Sequence, residues 1–133
     1  MKTLTVNLGD RSYPIYIDVE LLQNQTLIQK HIQTKAVCIV SNTTVAKLYL
    51  NELKKSLKGY RVIEVILEDG EQFKNADSLN QIYTVLLDNK FNRDSTIIAL
   101  GGGVVGDIAG FAAASFMRGI PFIQIPTTLI PAA

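Results

Sequence analysis

The residues Gly101-Gly102-Gly103-Val104-Val105-Gly106-Asp107 satisfy the pattern G-x-G-x-x-G, and the apolar run Thr96–Leu100 leads straight into them. Glycine lets a backbone come close to a phosphate, and the first N–H groups of a helix have no partner of their own. A strand, a glycine turn and a helix in succession are therefore suited to cradling a pyrophosphate. The same pattern is also an ordinary tight turn, and here it departs from the usual dinucleotide fingerprint. It lies near residue 100 rather than in a first βα unit. Nor does an Asp or Glu follow about 20 residues later to take a ribose hydroxyl.

A carboxylate for that task is available at an earlier strand end. Asp69-Gly70-Glu71-Gln72-Phe73-Lys74 follows the apolar run Val62–Leu67. Asp69 and Glu71 are placed to accept hydrogen bonds from a ribose, and Lys74 to meet a phosphate or a neighbouring carboxylate. Taken alone, this D-G-E-x-x-K reads first as a solvated, charged turn. Thr127 and Thr128 offer adjacent hydroxyls after Pro126, although Pro-Thr-Thr is equally a helix start. Arg118 follows an apolar helical stretch, where a cation favours the helix C-terminus. Its two-pronged guanidinium also suits an anionic substrate, but the residue pattern alone favours the cap.

His31 is the single histidine, in a polar stretch without partners at metal-ligand spacing, and reads as a surface residue. Cys38, the single cysteine, sits in Ala36-Val37-Cys38-Ile39-Val40 and reads as a buried structural thiol, compatible with a reducing compartment. These residues form no metal site and no nucleophile–histidine pair. With 13 Lys and Arg against 12 Asp and Glu, bulk charge gives no reason to invoke nucleic acid or a membrane surface, so any bound anion is held by local geometry. No run approaches the roughly 20 apolar residues of a membrane span, and the amino end lacks a signal-peptide core; a soluble cytoplasmic protein is expected.

The elements that must position these residues follow from periodicity. Leu4, Val6 and Leu8 alternate with polar neighbours, Gly9–Ser12 supplies a turn, and Tyr13–Ile17 alternates again, so a β-hairpin is expected, then a short helix near Val19–Gln23. Beyond it the pattern becomes strand Ala36–Val40, a cap cluster Ser41-Asn42-Thr43, and a helix carrying Val45, Leu48, Tyr49, Leu53 and Leu57 up to Gly59. Strand Val62–Leu67 leads to a helix with Leu79, Ile82, Tyr83, Leu86 and Leu87, capped by Asn75 or Asp77. Strand Thr96–Leu100, a small apolar helix Val105–Met117 expected to be buried, and strand Phe122–Ile125 complete the series. This alternation predicts one α/β domain over residues 1–133: a Rossmann-like parallel sheet with flanking helices, preceded by the N-terminal hairpin. Its ligand edge is the carboxyl ends of the strands, where all four polar or glycine-rich turns fall.

Asp69–Lys74, the block Gly101–Phe111, Arg118-Gly119-Ile120 and Gln124–Leu129 come in the order and spacing of 3-dehydroquinate synthases, and Leu8–Ile15 is similar too. Through Leu129 the chain resembles the NAD-binding N-terminal domain of that family. The resemblance implies a carbon–oxygen lyase of the shikimate pathway, serving chorismate and aromatic amino acid biosynthesis. Such an enzyme converts 3-deoxy-D-arabino-heptulosonate 7-phosphate to 3-dehydroquinate and phosphate. NAD oxidises a ring hydroxyl transiently and is regenerated, and a divalent metal, zinc or cobalt, assists. The family's metal ligands, a Glu and two His, lie in a helical C-terminal domain that these residues do not include. The chain is thus expected to hold NAD, to carry no metal ligand and to be catalytically incomplete.

Carried over by position, Asp69, Gly70, Glu71, Gln72, Phe73 and Lys74 match the adenosine side of the NAD site, with Asn42 near it. Gly103, Val104, Val105, Gly106 and Asp107 match the pyrophosphate loop, and Thr127 and Thr128 a further NAD contact. Arg118 matches a substrate-contacting arginine, which reverses the preference for a helix cap. The implied partners are a small sugar phosphate and a second copy in a full-length homodimer, with no nucleic acid and no membrane. The pattern is broken at Ile130-Pro131-Ala132-Ala133, where the family continues with Asp, Ser and Gly-Gly-Lys. The other readings are a sister sugar-phosphate cyclase such as 2-deoxy-scyllo-inosose synthase, and a non-catalytic α/β module that binds nucleotide or protein. Asp107 and Arg118-Gly119-Ile120 favour the first family.

Overall fold

The computed structural model describes residues 2–6, 13–17, 25–70 and 75–127. The alternating amino-terminal runs form β1 (Lys2–Val6) and β2 (Tyr13–Ile17), paired antiparallel with Lys2 opposite Ile17 and Val6 opposite Tyr13. The expected hairpin is present, and it is joined to the main sheet rather than apart from it. The short helix expected near Val19–Gln23 lies outside the described residues, apart from α1 (Gln25–Lys30), a helix the periodicity did not announce.

The continuous apolar runs become β3 (Ala36–Asn42), β4 (Arg61–Leu67), β5 (Thr96–Gly101) and β6 (Phe122–Pro126). Strands covered on both faces have no polar side to alternate, and every residue of β5 is indeed buried. Between β3 and β4 the chain passes through α2 (Thr43–Val45), a π-helical stretch (Ala46–Leu50) and α3 (Asn51–Lys55). The later crossovers are α4 (Ala76–Asp88) and α5 (Gly103–Ser115), the latter closed by a 3-10 turn, Phe116–Arg118. Across the sheet the order is β1-β2-β6-β5-β3-β4. All neighbours from β2 to β4 are parallel.

One core lies under α1 to α3, where Ile28, Leu53 and Leu57 pack on Val37, Ile39, Ile98 and Leu100. The other lies under α4 and α5, where Ile82, Leu86, Val105, Ile108 and Ala112 pack on Cys38, Val40, Val65 and Ile97. Burying side chains of this size stabilises by about 1.5–3 kcal/mol each.

Four details depart from the periodic reading. Leu48 is 61% exposed, because the π-helical stretch puts an extra residue into the turn and rotates it off the buried stripe. Leu87 is 59% exposed beside the fully buried Leu86. Nor is α5 buried on all sides: Gly103, Asp107, Phe111 and Ala114 form an outward stripe at helical spacing. The helix also begins at Gly103 and ends at Ser115, two residues earlier at each end than expected.

Candidate functional site

The crossover from β3 leads to β4 on one side, while β5 leads to β6 on the other, with helices on opposite faces. The carboxyl ends of β3 and β5 therefore flank the point where an open α/β sheet takes a ligand. The fully buried Ser41 ties these ends together, its Oγ donating to the Leu100 carbonyl at 2.7 Å. Asn42 stands opposite Leu67 of β4, and Gly101 opposite Pro126 of β6, so the strands end on one level.

The glycines of the turn have different tasks. Gly101 has φ 156°, and a Cβ there would lie 3.1 Å from the Val105 side chain, itself held in the core. The fold itself demands that glycine. At Gly106 a Cβ would press on the amide end of Gln124 of β6, a flexible side chain that can move aside, so packing asks less of this glycine than of Gly101. Gly103 is the contrary case: it is exposed at the first turn of α5, and a Cβ would meet nothing within 4 Å. Packing does not require glycine there, whereas close approach of another molecule to the backbone would.

The helix start is suited to an anion. Gly106 N–H donates to Gly102 O at 3.0 Å, which leaves the N–H groups of Gly103, Val104 and Val105 without intrahelical partners. No side chain caps this end, whereas Asn42 caps α2 and Asn75 caps α4. The aligned peptide dipoles of this 13-residue helix put partial positive charge at the same place. Val105 offers only its backbone, since its side chain is buried. One turn on, the exposed Asp107 lines a cleft of about 340 Å³ between α4 and α5, together with Asn75, Leu79, Ile108 and Phe111.

Next to this loop, Asn42 and Asp69 are brought together from adjacent strand ends. Asn42 Nδ2 donates to Asp69 Oδ1 at 3.3 Å, while Asn42 Oδ1 accepts the Val45 N–H at 2.8 Å. Gly70, with φ 131°, turns the chain away from β4. Thr127, 8% exposed, follows the end of β6. Glu71, Gln72, Phe73, Lys74 and Thr128 lie outside the described residues.

Arg118 does not join them. It follows α5, whose 13 residues run about 20 Å from the glycine turn back to the amino edge of the sheet. There Met117 and Arg118 have φ 48° and 66°, a left-handed turn just past the helix end. That turn leaves Arg118 off the path of α5 but still beside its carboxyl end, where a cation is favoured.

Sequence reasoning missed three participants. Thr44 Oγ1 donates to Asp69 Oδ2 at 3.0 Å. Ser41 links two strands, and Gln124 underlies Gly106. Ser41 and Thr44 lie in a polar turn already visible beside Asn42, but their partners are 59 and 25 positions away and carry no local signal. Cys38 is fully buried, and burial pushes its thiol up to about 12, so it is no nucleophile at neutral pH. Among the described residues no helix is long and apolar enough to cross a membrane.

The family model for the N-terminal domain of 3-dehydroquinate synthase matches residues 64–133. The 3-dehydroquinate synthase of Hydrogenovibrio crunogenus is 58% identical over 130 residues, which cover 98% of this chain and 36% of that protein. This chain thus spans about a third of the length of such relatives. Among solved structures, 2-deoxy-scyllo-inosose synthase in complex with carbaglucose-6-phosphate, NAD+ and Co2+ superposes with a TM-score of 0.78 at 22% identity, over 95% of this chain and 35% of that one. A 2-epi-5-epi-valiolone synthase from Streptomyces hygroscopicus subsp. jinggangensis 5008, with NAD+ and Zn2+ bound, gives 0.71 at 28% identity, over 92% of this chain and 34% of that one.

Proposed function

The chain belongs to the 3-dehydroquinate synthase N-terminal family, and from that membership we propose that it is the NAD-holding part of a 3-dehydroquinate synthase. The enzyme would convert 3-deoxy-D-arabino-heptulosonate 7-phosphate to 3-dehydroquinate and phosphate. Gly103 is the observation that carries the cofactor reading: it is a glycine that the fold does not need, at an uncapped helix start on the ligand edge. In this reading the pyrophosphate meets the N–H groups of Gly103, Val104 and Val105, with Gly106 and Asp107 completing the loop. Asn42 and Asp69 face the adenosine ribose, with Gly70, Glu71, Gln72, Phe73 and Lys74 on the same side and Thr127 and Thr128 at the end of β6.

NAD supplies a hydride acceptor that is restored at the end of the cycle. The residues of this chain bind and orient it. A divalent metal, zinc or cobalt, belongs to the same proposal, as do a homodimer and a cytoplasmic setting. The resemblance places its ligands, a Glu and two His, in a helical C-terminal domain, so the reading takes no step through the metal. The substrate contact of Arg118 is proposed apart from the cofactor edge, which that side chain does not share. A sister cyclase is the second reading; it leans on structures 22% and 28% identical, against 58% for the synthase.

Titration calorimetry with NAD tests the site. Gly103→Ala is expected to weaken NAD by about tenfold or more, the loss of roughly 1.4 kcal/mol. It should melt no earlier than wild type, because alanine is the better helix former by about 1 kcal/mol. Gly101→Ala should instead melt earlier, by about 1–3 kcal/mol of lost stability. Equal NAD affinity for Gly103→Ala and wild type sinks the assignment.

A further inference from the structure

Asp69 is held at two points, and both donors come from the neighbouring strand's exit. Asn42 Nδ2 takes Oδ1 at 3.3 Å, and Thr44 Oγ1 takes Oδ2 at 3.0 Å. The amide of Asn42 cannot turn freely, because its Oδ1 already accepts the Val45 N–H at 2.8 Å as the cap of α2. Its Nδ2 is thereby aimed at Asp69. Thr44 has no such second duty: among the described residues its hydroxyl is given one partner, the carboxylate.

Asp69 itself is exposed and stands before Gly70, whose φ of 131° begins a turn. An exposed aspartate at such a place would sample several rotamers. Thr44 removes that freedom. A carboxylate offers about four lone-pair directions, so two remain for hydroxyl groups that approach from solvent.

Resting on the NAD reading above, we infer that Thr44 is a positioning residue for the cofactor and sets its phosphorylation preference. By fixing the Asp69 carboxylate it holds two acceptors toward the vicinal hydroxyls of the adenosine ribose. A dinucleotide with a 2′-phosphate loses one of those donors and brings about two negative charges against Asp69, with the exposed Glu68 adjoining it. The clamp therefore selects NAD over NADP, and Thr44 acts through Asp69 rather than by touching the cofactor.

The test is titration calorimetry with NAD and with NADP on the protein at its natural length. Wild type, Thr44→Ser, Thr44→Val, Asp69→Ala and the double variant Thr44→Val/Asp69→Ala are compared. Thr44→Ser keeps the hydroxyl and is expected to stay within about twofold of wild type for both ligands. Thr44→Val is expected to weaken NAD by about fivefold to tenfold and to narrow the NAD-to-NADP ratio, at an unchanged melting temperature. In the Asp69→Ala background the same change should add nothing, which marks an effect transmitted through that carboxylate. A loss that persists undiminished without Asp69 overturns the inference, as does a Thr44→Val variant that binds NAD like wild type. Wild type that binds no NAD overturns the cofactor reading itself, and this inference with it.

Discussion

Thr44 and Cys38 show opposite limits of what a residue discloses before its surroundings are known. Cys38 could be read as a buried thiol because Val37 and Ile39 flank it in a run of strand formers, and burial is a property of the run. Thr44 gave no such sign, because its role depends on a carboxylate that folding brings to it from 25 positions away. The buried thiol has a measurable consequence. Its ordinary value of 9.0 is pushed up to about 12, so between these limits the unfolded chain has lost a proton that the folded chain keeps. Stability is complete below pH 9 and falls as pH rises toward 12, by up to about 1.4 kcal/mol per pH unit. Melting curves from about pH 8 to about 10.5 should decline more steeply for wild type than for Cys38→Ala, and parallel declines would show that other groups govern the alkaline limb. Burial lowers His31, so its contribution has the opposite sign: it is complete above the ordinary 6.5 and fades as pH falls below it.

Among the elements, the strands and the α4 cap were legible, because apolar runs and an Asn before a helix act locally. Asn75, not Asp77, proves to be that cap, its Oδ1 accepting the Ser78 N–H at 3.0 Å. The phase of the helix after β3 was not legible, since a π-helical turn is set by packing rather than by any residue type. The end of α5 was misjudged because Met117 and Arg118 are good helix residues that tertiary structure forces into left-handed backbone. Such a conformation costs roughly 1 kcal/mol per residue and tends to persist where function holds it. Arg118→Gly separates the possibilities. Relief of φ 66° should raise the melting temperature slightly or leave it unmoved. NAD affinity should stay within about twofold, because α5 separates this turn from the cofactor edge. In the protein at its natural length kcat/KM should drop by about tenfold or more if the guanidinium holds an anionic group of the substrate. Unchanged kcat/KM would return Arg118 to the scaffold.

At the scale of the whole molecule, the parallel order of the sheet was legible from the strand–helix alternation, while the attachment of the hairpin was not. Nothing near Tyr13–Ile17 announces a partner at Phe122–Pro126. The molecule's catalytic limits can be tested directly. Residues 1–133 supplied with NAD, the heptulosonate phosphate and zinc or cobalt should release no phosphate above background, because the proposed metal ligands lie elsewhere. Turnover by rigorously purified material would disprove that division of labour. The union of β2 with β6 also has a consequence for how the chain is made. Ile15 pairs with Gln124, a partner that leaves the ribosome 109 residues later. At about 5–20 residues per second the hairpin must wait several seconds for its neighbour, with one strand edge unpaired throughout. Nascent chains arrested before Phe122 should accordingly expose β2 to proteases and chaperones, and among the described strands it is β6, made well after the hairpin, that covers the open edge of β2.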